Sequence, residues 1–311
     1  MIVIVGPTAS GKTSLSLALA RSLRGEVISA DSRQVYRHLN AGTAKPPRDA
    51  RGLVDGVPYH LIDIVDPCES FDAGRFAALA EPLCQDIRQR GLIPIVAGGT
   101  GLYLRALIEG LSEIPRGDPT LRQRLTREAS LKGRQWLYRR LSQVDAPAAQ
   151  KIPANNIQRI IRALEVYELT GRPISGFWGH RKKTRAESPE PLILSLHWPS
   201  EELKKRIISR TQAFWPEIVR EVQELTRYRF KGSEPGFQSL GYREAILCAQ
   251  GEISCEQGLE KLIASTLAYA KRQRTWFAHQ ISAIKIAGGA CEAMLQEALK
   301  IIENSKAATP A

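Results

Sequence analysis

Ile2-Val3-Ile4-Val5-Gly6-Pro7-Thr8-Ala9-Ser10-Gly11-Lys12-Thr13, residues 2–13, is the stretch from which the fold can be read. Four consecutive apolar residues show no alternation, as a parallel strand buried on both faces requires. Gly6 to Thr13 then match the pattern G-x-x-x-x-G-K-[ST], and Leu15, Ala18 and Leu19 give the following helix an apolar side. Strand, glycine-rich turn and helix in this order form an anion cradle. The glycines let the backbone curl until several N–H groups converge, and the helix N-terminus adds positive potential. Lys12 adds a full charge, and the Thr13 hydroxyl can ligate Mg²⁺. Gly6, Pro7, Thr8, Ala9, Ser10, Gly11, Lys12 and Thr13 are therefore the candidate pyrophosphate- or nucleotide-binding residues, with ATP an alternative occupant of the loop.

Outward from this stretch, Val27-Ile28-Ser29-Ala30 and Ile93-Pro94-Ile95-Val96-Ala97 read as further strands, with Pro94 expected near the start of its own. Strands alternating with helices imply an α/β class with a parallel sheet. The turn-rich run Ile114-Pro115-Arg116-Gly117-Asp118-Pro119 ends this texture. Beyond it Ile157, Ile160, Ile161 and Leu164 mark one face of a helix, with Gly171 and Pro173 as its stop. Leu192 to Trp198 then reads as another buried strand, followed by Ser200 as a helix N-cap. The expected organisation is a core over 1–113, a helical insertion over 114–190, the core resumed over 191–303, and a disordered tail over 304–311.

The chain has 311 residues, too many for one small core, and a net charge of +12. That charge fits an anionic partner such as nucleic acid, or simply a solvated basic surface. Five cysteines without a C-x-x-C pair argue against a disulfide framework or a zinc site. The apolar run at the N-terminus is too short for a signal peptide or a membrane span, so the expectation is a cytoplasmic protein with no membrane association.

Two features bear on chemistry. No Asp or Glu follows the strand ending Val96-Ala97-Gly98-Gly99-Thr100, where an ordinary P-loop NTPase would hold Mg²⁺. Asp31 follows the second strand directly, on the sheet edge where ligands of open α/β sheets bind. It could take a proton from a nucleophile, or it could merely cap a turn.

The motifs taken together are specific. Gly6 to Thr13 is followed by Asp31-Ser32-Arg33-Gln34-Val35-Tyr36, Gly42-Thr43-Ala44-Lys45-Pro46, His60-Leu61-Ile62-Asp63 and Gly98-Gly99-Thr100-Gly101-Leu102-Tyr103. Then come Gln158 to Val166, Leu203, Arg206, Ile207 and Arg210, Gly241-Tyr242-Arg243-Glu244, and Lys271-Arg272-Gln273-Arg274-Thr275-Trp276. In this order and over residues 2 to about 280 the chain resembles the tRNA dimethylallyltransferases.

The resemblance implies a P-loop kinase-like core with a helical insertion that embraces the anticodon stem-loop. It implies transfer of a dimethylallyl group from dimethylallyl pyrophosphate to N6 of the adenosine immediately 3′ of the anticodon, in tRNAs reading codons that begin with U. Asp31, Thr100, Lys12 and Arg210 would be catalytic, with Mg²⁺ as cofactor. Contacts to tRNA are implied for Asp31, Ser32, Arg33, Gln34 and Thr100. They are implied also for Gln158, Arg159, Ile160, Ile161 and Arg162, and for Gln238, Ser239, Leu240, Gly241, Tyr242 and Arg243. A monomer is expected. The chain departs from the family at Asn155-Asn156, where Asn-Asp is common, and at Phe214-Trp215-Pro216, where Pro216 suggests a new helix start.

Other basic clusters are Arg122, Arg124 and Arg127, the run Arg181-Lys182-Lys183, and Lys271 to Arg274 leading into Trp276 and Phe277. Aromatics beside charge can stack on unpaired bases, or they can belong to the core. Two other functions share these signals: a small-molecule or nucleotide kinase, and an RNA-binding module without chemistry.

Overall fold

The computed structural model describes residues 1–112, 114–179 and 190–307. It divides into two compact units, Met1–Ile108 with Glu187–Ala311, and Glu109–Ala186. The unit boundaries therefore fall a few residues before those read at 113/114 and 190/191.

In the first unit the order is β1 (Ile2–Val5), α1 (Lys12–Leu23), β2 (Gly25–Ser29), β3 (Leu53–Val54), β4 (Val57–His60), α2 (Ala73–Gln89), β5 (Ile93–Gly98) and α3 (Gly101–Glu109). The second unit holds α4 (Pro119–Lys132), α5 (Arg134–Val144), α6 (Ala146–Lys151) and α7 (Ile157–Thr170). The first unit resumes with β6 (Leu192–His197), α8 (Ser200–Tyr228), α9 (Tyr242–Ala249), α10 (Cys255–Gln280), β7 (Ile284–Ala287) and α11 (Cys291–Ala307).

The strands lie in the order β3-β4-β2-β5-β1-β6-β7. All neighbours are parallel except β3 with β4. Alternate residues of β1 serve the two faces of the sheet. Ile2 and Ile4 pack with Leu15 and Leu19 of α1 and Ala298 of α11. Val3 and Val5 pack with Phe76 of α2 and Leu104 of α3. Leu15 is fully buried, and its truncation to Ala is worth about 2–5 kcal/mol. Pro94 is the second residue of β5, opposite Glu26, as its missing donor requires.

The second unit has its own core of Leu125, Leu137, Leu141, Ile160 and Leu164. Asn156 caps α7 by accepting from Arg159 N at 3.2 Å, so the departure from Asn-Asp leaves the cap intact. Gly171 ends that helix in the left-handed region, φ 68°.

Four expectations are corrected. Pro216 does not begin a helix; it lies inside α8. It removes one intrahelical bond, but Trp215, Ile218 and Val222 bury their side chains and hold the helix through it. Ser200 is the first residue of α8, and the cap position belongs to Pro199. The tail is ordered as helix to Ala307, because Met294, Ala298 and Ile302 of α11 are buried against the sheet. Cys248 and Cys255 form a disulfide between α9 and α10, their Cα atoms 5.5 Å apart, which a search for C-x-x-C spacing does not detect. No described helix is long and apolar enough to cross a membrane. Arg181, Lys182 and Lys183 lie outside the described residues.

Candidate active site

The phosphate loop links β1 to α1. Gly6 and Gly11 take positive φ values of 154° and 95°, the second in the left-handed region at the N-cap of α1. Ala9 also has positive φ, 63°, a strained value for an L residue. The crest is held from outside. Arg206 Nε donates to Ala9 O at 2.9 Å, and Trp198 Nε1 donates to Ser10 O at 2.9 Å. The Arg206 guanidinium lies over the Trp198 ring, 4.2 Å from its centroid. Arg210 donates to Thr8 Oγ1.

Lys12 Nζ donates to Gly6 O at 3.0 Å and Pro7 O at 2.7 Å. Burial of this ammonium lowers its pKa to about 8; Asp31 works against the drop and Arg210 adds to it. Burial also lowers the Arg210 guanidinium, again opposed by Asp31. Lys12, Asp31 and Arg210 thus share one electrostatic neighbourhood, although 179 residues, 210 minus 31, separate the last two in sequence.

Asp31 follows β2 at the sheet edge that carries the loop. Its Oδ1 accepts from Arg33 N at 2.8 Å and, more weakly, from Gln34 N at 3.4 Å. Asp31 therefore caps its turn with one oxygen, and Oδ2 has no hydrogen-bond partner among the described residues. The two readings of this residue are compatible.

Thr100 follows β5, whose end stays paired with that of β2 through Ala30 N to Ala97 O, 2.8 Å, and Thr100 N to Ala30 O, 3.2 Å. A Cβ on Gly98 would stand 2.1 Å from Ala30 O, so only glycine permits this approach. Thr100 Oγ1 accepts from Ser32 N at 3.0 Å and lies 3.3 Å from Ser32 Oγ. Tyr269 of α10 lines the cavity, and burial pushes its phenol up to about 12.

The loop, Asp31 and Arg210 open into one cavity of about 1210 Å³, lined by loop residues Thr8 to Thr13, by Asp31, Ser32, Arg33 and Arg210, and by Phe214, Leu240, Tyr269 and Arg272. Its lining combines cations such as Lys12, Arg206 and Arg210 with apolar side chains such as Phe214, Ile218 and Leu240. The cavity can hold an anion with an apolar tail against the loop, and a polar acceptor beside Asp31. Among the described residues no group of three His, Cys, Asp or Glu side chains could form a metal cage. The donor set at the cradle, the Thr13 hydroxyl with Asp31 nearby, instead suits Mg²⁺, which is bound by few protein oxygens together with waters and substrate phosphates.

The expected tRNA contacts divide. Gln158, Arg159 and Arg243 are exposed, and Gln238 is exposed while Ser239 and Leu240 line the cavity. Ile160 and Ile161 are not available: both are buried in the core of the second unit, on the inner face of α7. Arg162 donates to Glu165 Oε2 and to Pro115 O, both at 2.6 Å, so much of its charge is spent inside that unit. Tyr242 is fully buried, its hydroxyl donating to Glu221 Oε1 at 2.6 Å, and Gly241 beside it is buried too. Gln34 is buried and braces Ala44 O at 3.2 Å. Phe277 is buried and Trp276 packs edge-to-face on it at 5.3 Å, so the core accounts for both aromatics.

Sequence reading gave no role to Gln273, Arg206, Trp198 or Lys45. Lys45 Nζ donates to Asp63 Oδ1 at 2.5 Å and to Tyr36 O at 2.6 Å, joining three of the quoted motifs into one brace. No spacing rule could have paired residues drawn from separate elements.

Residues 34–280 match the model of the family described as IPP transferase, and residues 1–51 match that described as isopentenyl transferase. The chain belongs to the IPP transferase family. Among relatives of this IPP transferase, the tRNA dimethylallyltransferase of Elusimicrobium minutum is 40% identical, with 94% of this chain and 95% of that protein covered. The solved tRNA delta(2)-isopentenylpyrophosphate transferase of Staphylococcus epidermidis is 34% identical, TM-score 0.69, with 98% of each chain covered. A eukaryotic dimethylallyltransferase solved acting on tRNA reaches a TM-score of 0.82 at 27% identity, covering all of this chain (100%) and 80% of its own. The P-loop-like α/β fold of this IPP transferase is thus the fold of its solved relatives.

Proposed function

We propose that this IPP transferase is a tRNA dimethylallyltransferase that moves a dimethylallyl group from dimethylallyl pyrophosphate to N6 of the adenosine immediately 3′ of the anticodon, in tRNAs reading codons that begin with U. The names of its relatives support the reaction class. The observation that carries the reading is the one cavity lined by the phosphate loop with Lys12, by Arg210 and by Asp31; Thr100 reaches it through Ser32, whose N–H its hydroxyl accepts. The P-loop holds the leaving group of the reaction.

In this reaction the C1–O bond of the donor breaks and its electron pair departs with pyrophosphate. The new bond joins C1 to N6, and the N6 proton passes to Asp31. An allylic carbon tolerates positive charge, so the main demand falls on stabilising the departing diphosphate. Lys12, Arg210 and the loop amides meet it from fixed positions. The Thr13 hydroxyl would hold Mg²⁺, which would add neutralising charge at the leaving group. Adenine N6 is a weak nucleophile because its lone pair is delocalised into the ring. Oδ2 of Asp31 is the free oxygen that accepts its proton, a role worth about 10²–10⁴-fold. Thr100, whose hydroxyl is fixed by Ser32 N, holds the acceptor beside it. The base leaves its stack to reach this cavity. Exposed Gln158, Arg159 and Arg243, within a chain of charge +12, serve the RNA.

The test is incubation with radiolabelled dimethylallyl pyrophosphate, Mg²⁺ and unmodified tRNA, scored for label in adenosine. Label at that adenosine is the expected result. ATP turnover without a prenyl donor would instead identify a kinase, and RNA binding without product would identify a binding module.

A further inference from the structure

Gln273 stands in the middle of α10, 265 residues from Thr8, and its side chain is buried. Its Oε1 accepts from Thr8 N at 2.8 Å, and its Nε2 donates to Gly99 O at 2.9 Å. One amide therefore spans the gap between the phosphate loop and the end of β5. The contact is close on the β5 side: a Cβ on Gly99 would lie 2.2 Å from Gln273 Nε2. From Gly99 the connection continues without a gap. Thr100 is the next residue, its hydroxyl holds Ser32 N, and Ser32 follows Asp31.

A polar side chain in this place has a cost unless both its ends are satisfied, and here both are. An apolar residue could fill the same volume but could not fix two backbones in register. The amide also takes up Thr8 N–H, so that donor is already occupied. The anion must then be met by the remaining loop amides, Lys12 and Arg210.

We infer that Gln273 is a positioning residue for the reaction proposed above: the juxtaposition Thr8 N–H, Gln273 amide, Gly99 carbonyl sets the distance between the diphosphate cradle and the acceptor pair Asp31 and Thr100. Gln273 touches neither substrate in this arrangement and acts through the two backbones it joins. The inference rests on the prenyl-transfer reading for its chemistry, and on the hydrogen bonds alone for its geometry.

The experiment uses the full chain and compares wild type, Gln273→Met and Gln273→Glu, each followed by prenyl transfer to tRNA and by calorimetric binding of inorganic pyrophosphate. A displacement of about 1 Å between reacting groups costs about 10²-fold in rate. Gln273→Met is expected to lose about that much kcat while KM for tRNA stays near the wild-type value, and to bind pyrophosphate more weakly. Gln273→Glu separates positioning from simple loss of packing. When protonated, the introduced carboxyl offers Thr8 N–H an acceptor and Gly99 O a donor, restoring both bonds; when ionised it opposes Gly99 O. Its kcat, taken as a ratio to wild type at each pH, is expected to rise as pH falls, and that profile decides the matter even where Gln273→Met does not fold. Wild-type rates in Gln273→Met, or a Gln273→Glu ratio independent of pH, would overturn the inference. Absence of prenyl transfer by the wild type would instead defeat the proposed function, leaving the pyrophosphate titration to judge Gln273.

Discussion

Arg210 and Thr8 are 202 residues apart in sequence, yet the guanidinium of one donates to the hydroxyl of the other. The contact brings a cation from α8 onto the phosphate loop and beside Asp31, whose charge stabilises it. Arg210→Ala is expected to lower kcat/KM for dimethylallyl pyrophosphate by about 10²–10³-fold, the usual loss for one preorganised electrostatic group. tRNA affinity, measured by filter binding, should not change. Equal losses in both would place Arg210 in the RNA site instead.

Lys12 makes the reaction pH-dependent in a stated direction. Its folded pKa of about 8 lies below the ordinary lysine value of 10.5, so the ammonium is lost from the folded protein as pH rises through 8. kcat/KM for the diphosphate donor should fall across that window. The unfolded chain keeps the proton up to 10.5, so it binds more protons between the two values, and this group's contribution to stability rises with pH there. Activity and stability should therefore move in opposite directions. Lys12→Ala, expected to cost about 10²–10³-fold, should abolish this limb of the profile.

Asp31 carries two duties on two oxygens. Asp31→Asn keeps an oxygen for Arg33 N but removes the base, so kcat should fall by about 10²–10⁴-fold with thermal stability retained. Asp31→Ala should lose the same rate and also about 1 kcal/mol of turn capping. An Asn variant with the wild-type rate would remove Asp31 from the chemistry.

The sheet and its loop were legible because buried parallel strands and the glycine pattern are local signals. β1, β2, β5 and β6 each announce themselves as apolar runs. β3 has two residues and β7 exposes three of its four, so neither carries a pattern of its own. Thr100 came only with the family resemblance; the candidate site was legible at Asp31, which lies on a strand end. It was hidden where distant helices complete it, since nothing local distinguishes Gln273 from the basic residues flanking it. Ile160, Ile161 and Tyr242 show the opposite limit: a motif marks positions that matter without saying whether they face solvent or the core.

Tyr242 illustrates that limit in energetic terms. Its hydroxyl satisfies Glu221 Oε1, while Glu221 Oε2 accepts from Asn40 N at 2.9 Å and Ala41 N at 3.1 Å. Tyr242→Phe leaves the carboxylate short of one donor and should cost about 1–3 kcal/mol by denaturant unfolding. tRNA affinity should be preserved. A large loss of tRNA binding without loss of stability would restore Tyr242 to the RNA interface.

The central claim is that the phosphate loop steadies an outgoing diphosphate. A crystal structure with an unreactive thio analogue of dimethylallyl pyrophosphate measures this directly. The diphosphate is expected within hydrogen-bonding distance of Lys12, Arg210 and the loop amides, with the prenyl carbon directed towards Asp31 and Thr100. A diphosphate bound away from residues 6–13, or a prenyl carbon turned from Asp31, would contradict it.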